Sequence, residues 1–324
     1  MERHELEALA RGFQPAVVVL AANHLGVLAK LAAAPATSGE VAEALSLDRR
    51  ATSVLCDALV SLGVLRRRGD ALEMPQALRG LLDPASPDTM AHIFEHQWHL
   101  TARWVLLDQV VRSGEPAPRG PRSEEQLRAF ILGMADIARR VAPKLWEAAP
   151  LDGATHLVDV GGGPGELSLA ALERFPHLRA TVFDLPAVGP LALGYAERRG
   201  VAGRFSFVEG DALTREIPAC DAALVSSLVH SYGPGDTAAI ARHVAAGVVP
   251  GGTVVIREFL WDDETRSAPA SAGLFAVNML IGTPAGRCWT AAELEAVFGA
   301  AGFGSWRVVR LDPANTLVIG TREG

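Results

Sequence analysis

In the second half of the chain, acidic and imidazole side chains close one short apolar run after another. Asp159 follows Leu157-Val158, Asp184 follows Val182-Phe183, Asp211 follows Phe207 to Gly210, His230 follows Leu228-Val229, and Glu258 closes the run that begins at Val254. Carboxylates placed this way accept hydrogen bonds from hydroxyl or amino groups of a ligand, and an imidazole exchanges a proton near neutral pH. Asp159 is followed by Gly161, Gly162, Gly163 and Gly165 and then by an apolar stretch of helical spacing, which predicts a strand, a tight turn and a helix N-terminus. Glycine in such a turn permits positive φ and lets a ligand lie against backbone. A dinucleotide fingerprint needs Gly-x-Gly-x-x-Gly, but counting from Gly161 reaches Gly163 and then Glu166 in place of the third glycine. The nicotinamide reading therefore lacks support. A second constellation is His92, His96 and His99, which at helical spacing fall within about 60° of one another and share a face. That is also metal-ligand spacing, but no carboxylate or thiolate motif accompanies it, since Glu95 is expected to point elsewhere, so no metal is expected and the histidines read as pocket or interface groups.

These residues need a frame that brings strand ends together. Strands are expected at 155–160, 179–184, 205–209, 222–228, 252–258, 305–311 and 315–320, with helices between the earlier ones. Short, almost continuously apolar strands alternating with helices imply a parallel sheet covered on both faces, while the last two lie too close for a crossover and predict an antiparallel hairpin at one edge. In such a sheet the ligand lies beyond the carboxyl ends of the strands. Asp184 is then placed to accept from ribose hydroxyls, Gly161 and Gly163 to let a nucleoside approach backbone, and Asp211 to accept from an adenine amino group.

Upstream, residues 13–33 are apolar nearly all round, as in a helix buried on several sides and suited to a subunit interface. Thr37 and Glu40 have capping-box spacing, a helix is expected from about Arg50 to Leu62, and Arg66 to Asp70 read as the turn of a small hairpin. Helix, turn, helix and hairpin form a winged-helix pattern. A DNA reader would need basic or amide side chains on its second helix, yet Ala51 to Gly63 contains Asp57 and no basic residue. Residues 88–112 and 123–149 read as helical, separated by a Pro/Gly linker over 113–122.

The net charge of −7 argues against a nucleic-acid footprint, and 49% hydrophobic with 21% charged residues is a globular rather than a disordered composition. The uncharged stretches Gly12 to Ala29 and Ser267 to Gly286 are interrupted by Gln14, Pro15, Asn23 and His24 and by Asn278 and Pro284, so no membrane span is expected. Cys56, Cys220 and Cys288 are far apart, which suits a reducing compartment, and a cytoplasmic location is the expectation.

Taken together, the motifs Asp159-x-Gly161-x-Gly163-x-Gly165, Phe183-Asp184-Leu185-Pro186, Glu209-Gly210-Asp211, Leu228-Val229-His230, Pro250-Gly251-Gly252 and Ala301-Gly302-Phe303 resemble the S-adenosylmethionine-dependent small-molecule O-methyltransferases. The resemblance is to the plant caffeate and acetylserotonin type and its bacterial relatives acting on pigments and secondary metabolites, and it covers nearly the whole chain. It implies an α/β fold: a doubly wound Rossmann-like sheet at 149–324, connecting helices and linker at 101–148, and a mostly α winged-helix dimerisation domain at 1–100 that makes a homodimer. It implies S-adenosylmethionine bound by Asp159, Gly161, Gly163, Asp184, Leu185, Asp211, Ala212 and Ser226, with His230 as general base oriented by Glu258. An aromatic or polyketide-like acceptor is expected against His99, Phe130, Met134, Phe275, Asn278, Met279 and Trp289. The chain departs from the family's pattern in three places. His230-Ser231-Tyr232 stands for His-Asp-Trp, Cys288 stands where a second carboxylate is usual, and Ser226 replaces a Lys four residues before the histidine. The acid/base half is thus less complete than the cofactor half, which leaves a carbon or sulfur methyltransferase working by proximity, or a ligand-responsive winged-helix regulator, as the alternatives.

Overall fold

The computed structural model describes residues 1–118, 120 and 123–324. They pack as two units, Met1–Val105 with Arg119–Ile137, and Leu106–Pro118 with Ala138–Gly324, so the segment expected as a connector is divided between them. Of the expected linker at 113–122, residues 119, 121 and 122 lie outside the described residues.

The second unit is built on a seven-stranded sheet. Its strands are β1 (His156–Val160), β2 (Arg179–Asp184), β3 (Phe205–Glu209), β4 (Cys220–Ser226), β5 (Val248–Glu258), β6 (Phe303–Arg310) and β7 (Thr316–Arg322). The spatial order is β6-β7-β5-β4-β1-β2-β3. Strands β1 to β5 run parallel, while β7 is antiparallel to both β5 and β6, the expected edge hairpin. The inner strands are apolar at consecutive positions, and Leu157, Val158, Leu224, Val225, Val255 and Ile256 are all fully buried. That pattern is what helices on both faces require. Strand order reverses between β1 and β4, and at such a switch point the carboxyl ends diverge and leave a crevice. The helix Glu124–Ala148 enters this unit at Ala138, and Trp146 Nε1 donates to Leu167 O at 2.9 Å, tying it to the helix Glu166–Arg174 that follows the glycine turn.

The first unit contains the expected helix, helix and hairpin. Helices Ser38–Ala44 and Arg49–Ser61 precede a hairpin of Arg66–Arg68 with Ala71–Glu73, and Thr37 and Glu40 form the reciprocal capping box. The apolar stretch at 13–33 is not one buried helix. Gly26, at φ 78°, breaks it into Phe13–His24 and Val27–Ala33, and only the second is mostly buried. Among the described residues no single helix is long and apolar enough to cross a membrane, and the one pair that passes on length and composition is bent by 68°.

The helices Ala91–Trp104 and Glu124–Ala148 approach closely at Gly133, where a Cβ would stand 3.0 Å from the Cα of Ile93. A bulky branched side chain has no room there. Gly133→Val should lower stability by about 1–3 kcal/mol, the usual cost of overpacking. The midpoint of chemical denaturation reads this out, and an unchanged midpoint would show that the contact is not a constraint.

Candidate active site

At the end of β1 the Asp159 side chain turns under the glycine loop and is 1% exposed. A Cβ on Gly162 would fall 2.5 Å from its carboxyl carbon, so glycine there is a packing requirement set by Asp159. Ser168 Oγ donates to Asp159 Oδ2 at 2.7 Å, while Oδ1 is buried and has no hydrogen-bond partner among the described residues. Burial, opposed by Ser168 and aided by the charge of Asp184, pushes the Asp159 carboxyl from 3.8 up to about 7. Gly161, Gly163 and Gly165 all have positive φ. Nothing lies within 4 Å of where a Gly163 Cβ would point, so that backbone faces open space.

Asp184, at the end of β2, accepts from Gly163 N at 2.7 Å through Oδ2 and from Leu185 N at 2.6 Å through Oδ1. Burial raises its carboxyl and these two amides oppose the rise. Leu185 is exposed and Ala212 half-buried. Asp211 Oδ1 accepts from Leu213 N at 2.9 Å. The phenol of Tyr232 is pushed up by burial and by the carboxylates of Asp211, Asp236 and Asp184, which places it on the same acidic rim. Glu166, which broke the dinucleotide spacing, is buried and paired with Arg199 at 2.8 Å and Arg139 at 3.7 Å.

Across the switch point, His230 sits in a single turn, Val229–Ser231, four residues past β4. Its Nδ1 lies 2.7 Å from Glu258 Oε2 at the end of β5, and its backbone N–H reaches Glu258 Oε1 at 3.3 Å. Both residues are buried. Phe275 meets the imidazole edge-on at 4.9 Å, and Phe259 packs on Phe275 at 4.2 Å.

The expected acceptor residues divide between the two units. In the second, the helix Ala270–Gly282 carries half-buried Phe275 and Asn278 and buried Met279. Trp289 corrects the expectation of a pocket wall: it is 2% exposed, belongs to the core of the sheet, and donates Nε1–H to Val229 O at 3.2 Å. Its indole braces the turn that carries His230. Cys288 is buried too, its Sγ 3.2 Å from Ala272 O, and burial pushes its thiol up to about 12. In the first unit Phe130 and Met134 are half-buried on the helix Glu124–Ala148, with Phe130 edge-on to His96 at 5.3 Å. Glu95 does not point away from the histidines as expected. It lies 2.7 Å from His24 Nδ1 and 3.2 Å from His99 Nε2, while His92 pairs with Asp136 at 3.2 Å, so these histidines sit among carboxylates.

Residues 118–304 match the O-methyltransferase domain, and residues 8–76 the O-methyltransferase dimerisation domain. The chain belongs to the O-methyltransferase family. It is 30% identical to 3-hydroxy-5-methyl-1-naphthoate 3-O-methyltransferase of Streptomyces sahachiroi, over 98% of this chain and 94% of that one. It is 29% identical to the tetracenomycin polyketide synthesis 8-O-methyl transferase TcmO of Streptomyces glaucescens, over 97% and 95%. The fold matches human N-acetylserotonin methyltransferase, solved in complex with SAM, with a TM-score of 0.90 at 24% identity, over 100% of this chain and 99% of that one.

Enzymes of this family depend on S-adenosylmethionine, and the site fits it. Asp159 Oδ1 lies buried and unpartnered beneath the turn, Gly163 leaves backbone open to a ligand, and Asp184 keeps lone pairs beyond the two amides it already holds. The residues that would hold the cofactor are thus Gly161, Gly163, Asp184, Leu185, Asp211 and Ala212 at the surface of the crevice, with Asp159 acting from below. Ser226 accepts from Arg257 Nη1 at 3.0 Å and keeps its own O–H to donate. Sequence reasoning missed Arg257, Ser168 and Tyr232. Only Tyr232 carried a signal, as a departure from the family's His-Asp-Trp.

Because Asp159 titrates higher in the folded chain than its ordinary value, its contribution to stability is present at acid pH and lost as pH rises through about 7. Asp159→Asn removes that dependence. Thermal melting of the ligand-free protein should show the variant gaining on wild type at pH 8 relative to pH 5, and a difference independent of pH would place the ionisation elsewhere.

Proposed function

We propose that this O-methyltransferase methylates a hydroxyl on a small aromatic secondary metabolite, with His230 as general base, and works as a homodimer through its first unit. The observation that carries the reading is the buried bond between His230 Nδ1 and Glu258 Oε2 at 2.7 Å. With Nδ1–H donated to the carboxylate, the lone pair is on Nε2, and that atom takes the proton of the acceptor hydroxyl. Glu258 holds the ring in place and stabilises the imidazolium formed. Bound in the crevice, S-adenosylmethionine supplies an electrophilic methyl on a sulfonium. Asp184 and the open backbone at Gly163 orient the nucleoside end. Phe259 and Phe275 supply a flat apolar surface beside the imidazole, which suits a planar acceptor and keeps water from the reacting oxygen. The naphthoate and tetracenomycin polyketide in the names of the two relatives support the same acceptor class.

The test is a screen of phenols, thiols and activated carbons with labelled S-adenosylmethionine, followed by variants assayed on the best phenol. His230→Ala should lower turnover by at least about a hundredfold with cofactor affinity unchanged, and Glu258→Gln should fall between it and wild type. A loss of under about tenfold would mean that proximity carries the transfer.

The dimer rests on a different observation. Leu9 and Phe13 are 65% and 63% exposed in the single chain, an apolar surface within the segment that carries the dimerisation match, and Leu6, just before that segment, is 60% exposed. Light scattering should give twice the chain mass, and Leu9→Asp with Phe13→Asp should shift it towards a monomer. A monomeric wild type would overturn this assembly.

A further inference from the structure

The family's Lys is missing at Ser226, yet a cation occupies that place from the next strand. Ser226 is the cross-strand partner of Arg257 in the β4–β5 pairing. Arg257 is 3% exposed, and among the described residues its guanidinium bonds only neutral oxygens: Nη1 donates to Ser226 Oγ at 3.0 Å and Ser227 Oγ at 2.7 Å, while Nε at 3.0 Å and Nη2 both reach Asn315 Oδ1. Among the described residues it makes no ion pair, and the nearest carboxylates that feel its charge are Glu258 and Asp312. Asp312 is already engaged, accepting from Asn315 Nδ2 at 2.8 Å. A buried guanidinium without a paired carboxylate is costly, so its retention calls for a reason beyond packing.

Its position supplies one. Ser227 is held at φ 53°, a strained conformation for a side chain with a Cβ, and its N–H donates to Arg257 O at 2.9 Å. Three residues later comes His230, and the residue after Arg257 is Glu258. Phe259 lies between the charges, 5.8 Å from the guanidinium and 6.2 Å from the imidazole. Few other charged groups face the pair. The thiol of Cys288 is neutral, Arg287 is bound to Glu293, and Tyr232 belongs to the rim of Asp184 and Asp211.

We infer that Arg257 is a positioning residue for catalysis: from β5 it clamps the exit of β4 and Asn315, the residue before β7, and so sets the register at which His230 meets Glu258. This rests on the reading of His230 as the base, so the test has a readout separate from turnover. A slowly exchanging downfield imidazole N–H resonance, present in the full-length wild type and missing in His230→Ala, reports the Nδ1 bond directly. Arg257→Met should lose that resonance and at least about tenfold in turnover on the phenol found above, while Arg257→Lys, which keeps a donor and the charge, should recover most of both. A folded Arg257→Met that keeps resonance and turnover overturns the inference, as does a wild type lacking the resonance. If Arg257→Met does not fold, Asn315→Ala, which removes two of the guanidinium's bonds, should weaken both signals, and unchanged signals overturn the inference. Normal turnover in His230→Ala would instead remove the base reading and leave the resonance to decide the clamp.

Discussion

Everything at the mouth of the sheet follows from space already taken beneath the backbone. Asp159 fills the volume under Gly162, Leu228 comes within 2.9 Å of where a Gly161 Cβ would stand, and the ring of Phe183 occupies the place of a Gly210 Cβ. The three side chains come from the end of β1, the exit of β4 and the end of β2, so the neighbouring strands force glycine on one another. Main chain without side chains is left at the crevice, its positive-φ turn held by its own hydrogen bonds, with Gly161 N–H donated to Phe183 O and Gly163 N–H to Asp184. The same contact seats Leu228, and His230 follows two residues on. Close packing of this kind leaves little slack, which links the glycine turn to His230 without direct contact between them.

The field in the crevice is negative. Asp159, Asp184 and Asp211 share it, burial pushes the first two upward, and Tyr232 is raised by burial and by Asp211, Asp236 and Asp184. A positively charged ligand relieves this repulsion, and S-adenosylmethionine carries a sulfonium and an ammonium. The nearest buried cation, Arg257, is turned away into neutral oxygens of Ser226, Ser227 and Asn315 and so does not neutralise the rim. On the proposed mechanism, charge selection and base positioning are therefore handled by different residues on adjacent strands.

The sheet was legible because each inner strand is a run of apolar residues bounded by glycine, proline or a charge, and burial on both faces leaves no other reading. The residues at strand ends could be named for the same reason. What the sequence concealed depends on three-dimensional neighbours. Trp289 as a pocket wall and as a core brace have the same local sequence, and only the bond to Val229 O separates them. Arg257 drew no reading of its own within the strand expected at 252–258, since nothing local reveals that Asn315, 58 residues on, meets it. The stretch at 13–33 looked continuous because Gly26 is tolerated within a helix, whereas the structure uses it at positive φ to end one.

On the proposed mechanism, Cys288 bears on how much help the acceptor receives. Where the family's pattern carries a second carboxylate, a buried thiol pushed up to about 12 stays neutral, and its Sγ is directed to Ala272 O. On the proposed mechanism the imidazolium formed by proton transfer is then stabilised by Glu258 alone. Two buried carboxylates on one histidine would bind the proton more tightly but repel each other whenever the imidazole is neutral. A single carboxylate avoids that repulsion and gives a weaker pull on the acceptor. General-base catalysis works best when the pKa values of base and acceptor are suitably matched, so the weaker pull is offset when the hydroxyl is itself acidic. A phenol on a fused or electron-poor ring meets that condition, and the apolar surface of Phe259 and Phe275 beside His230 accepts the same planar shape.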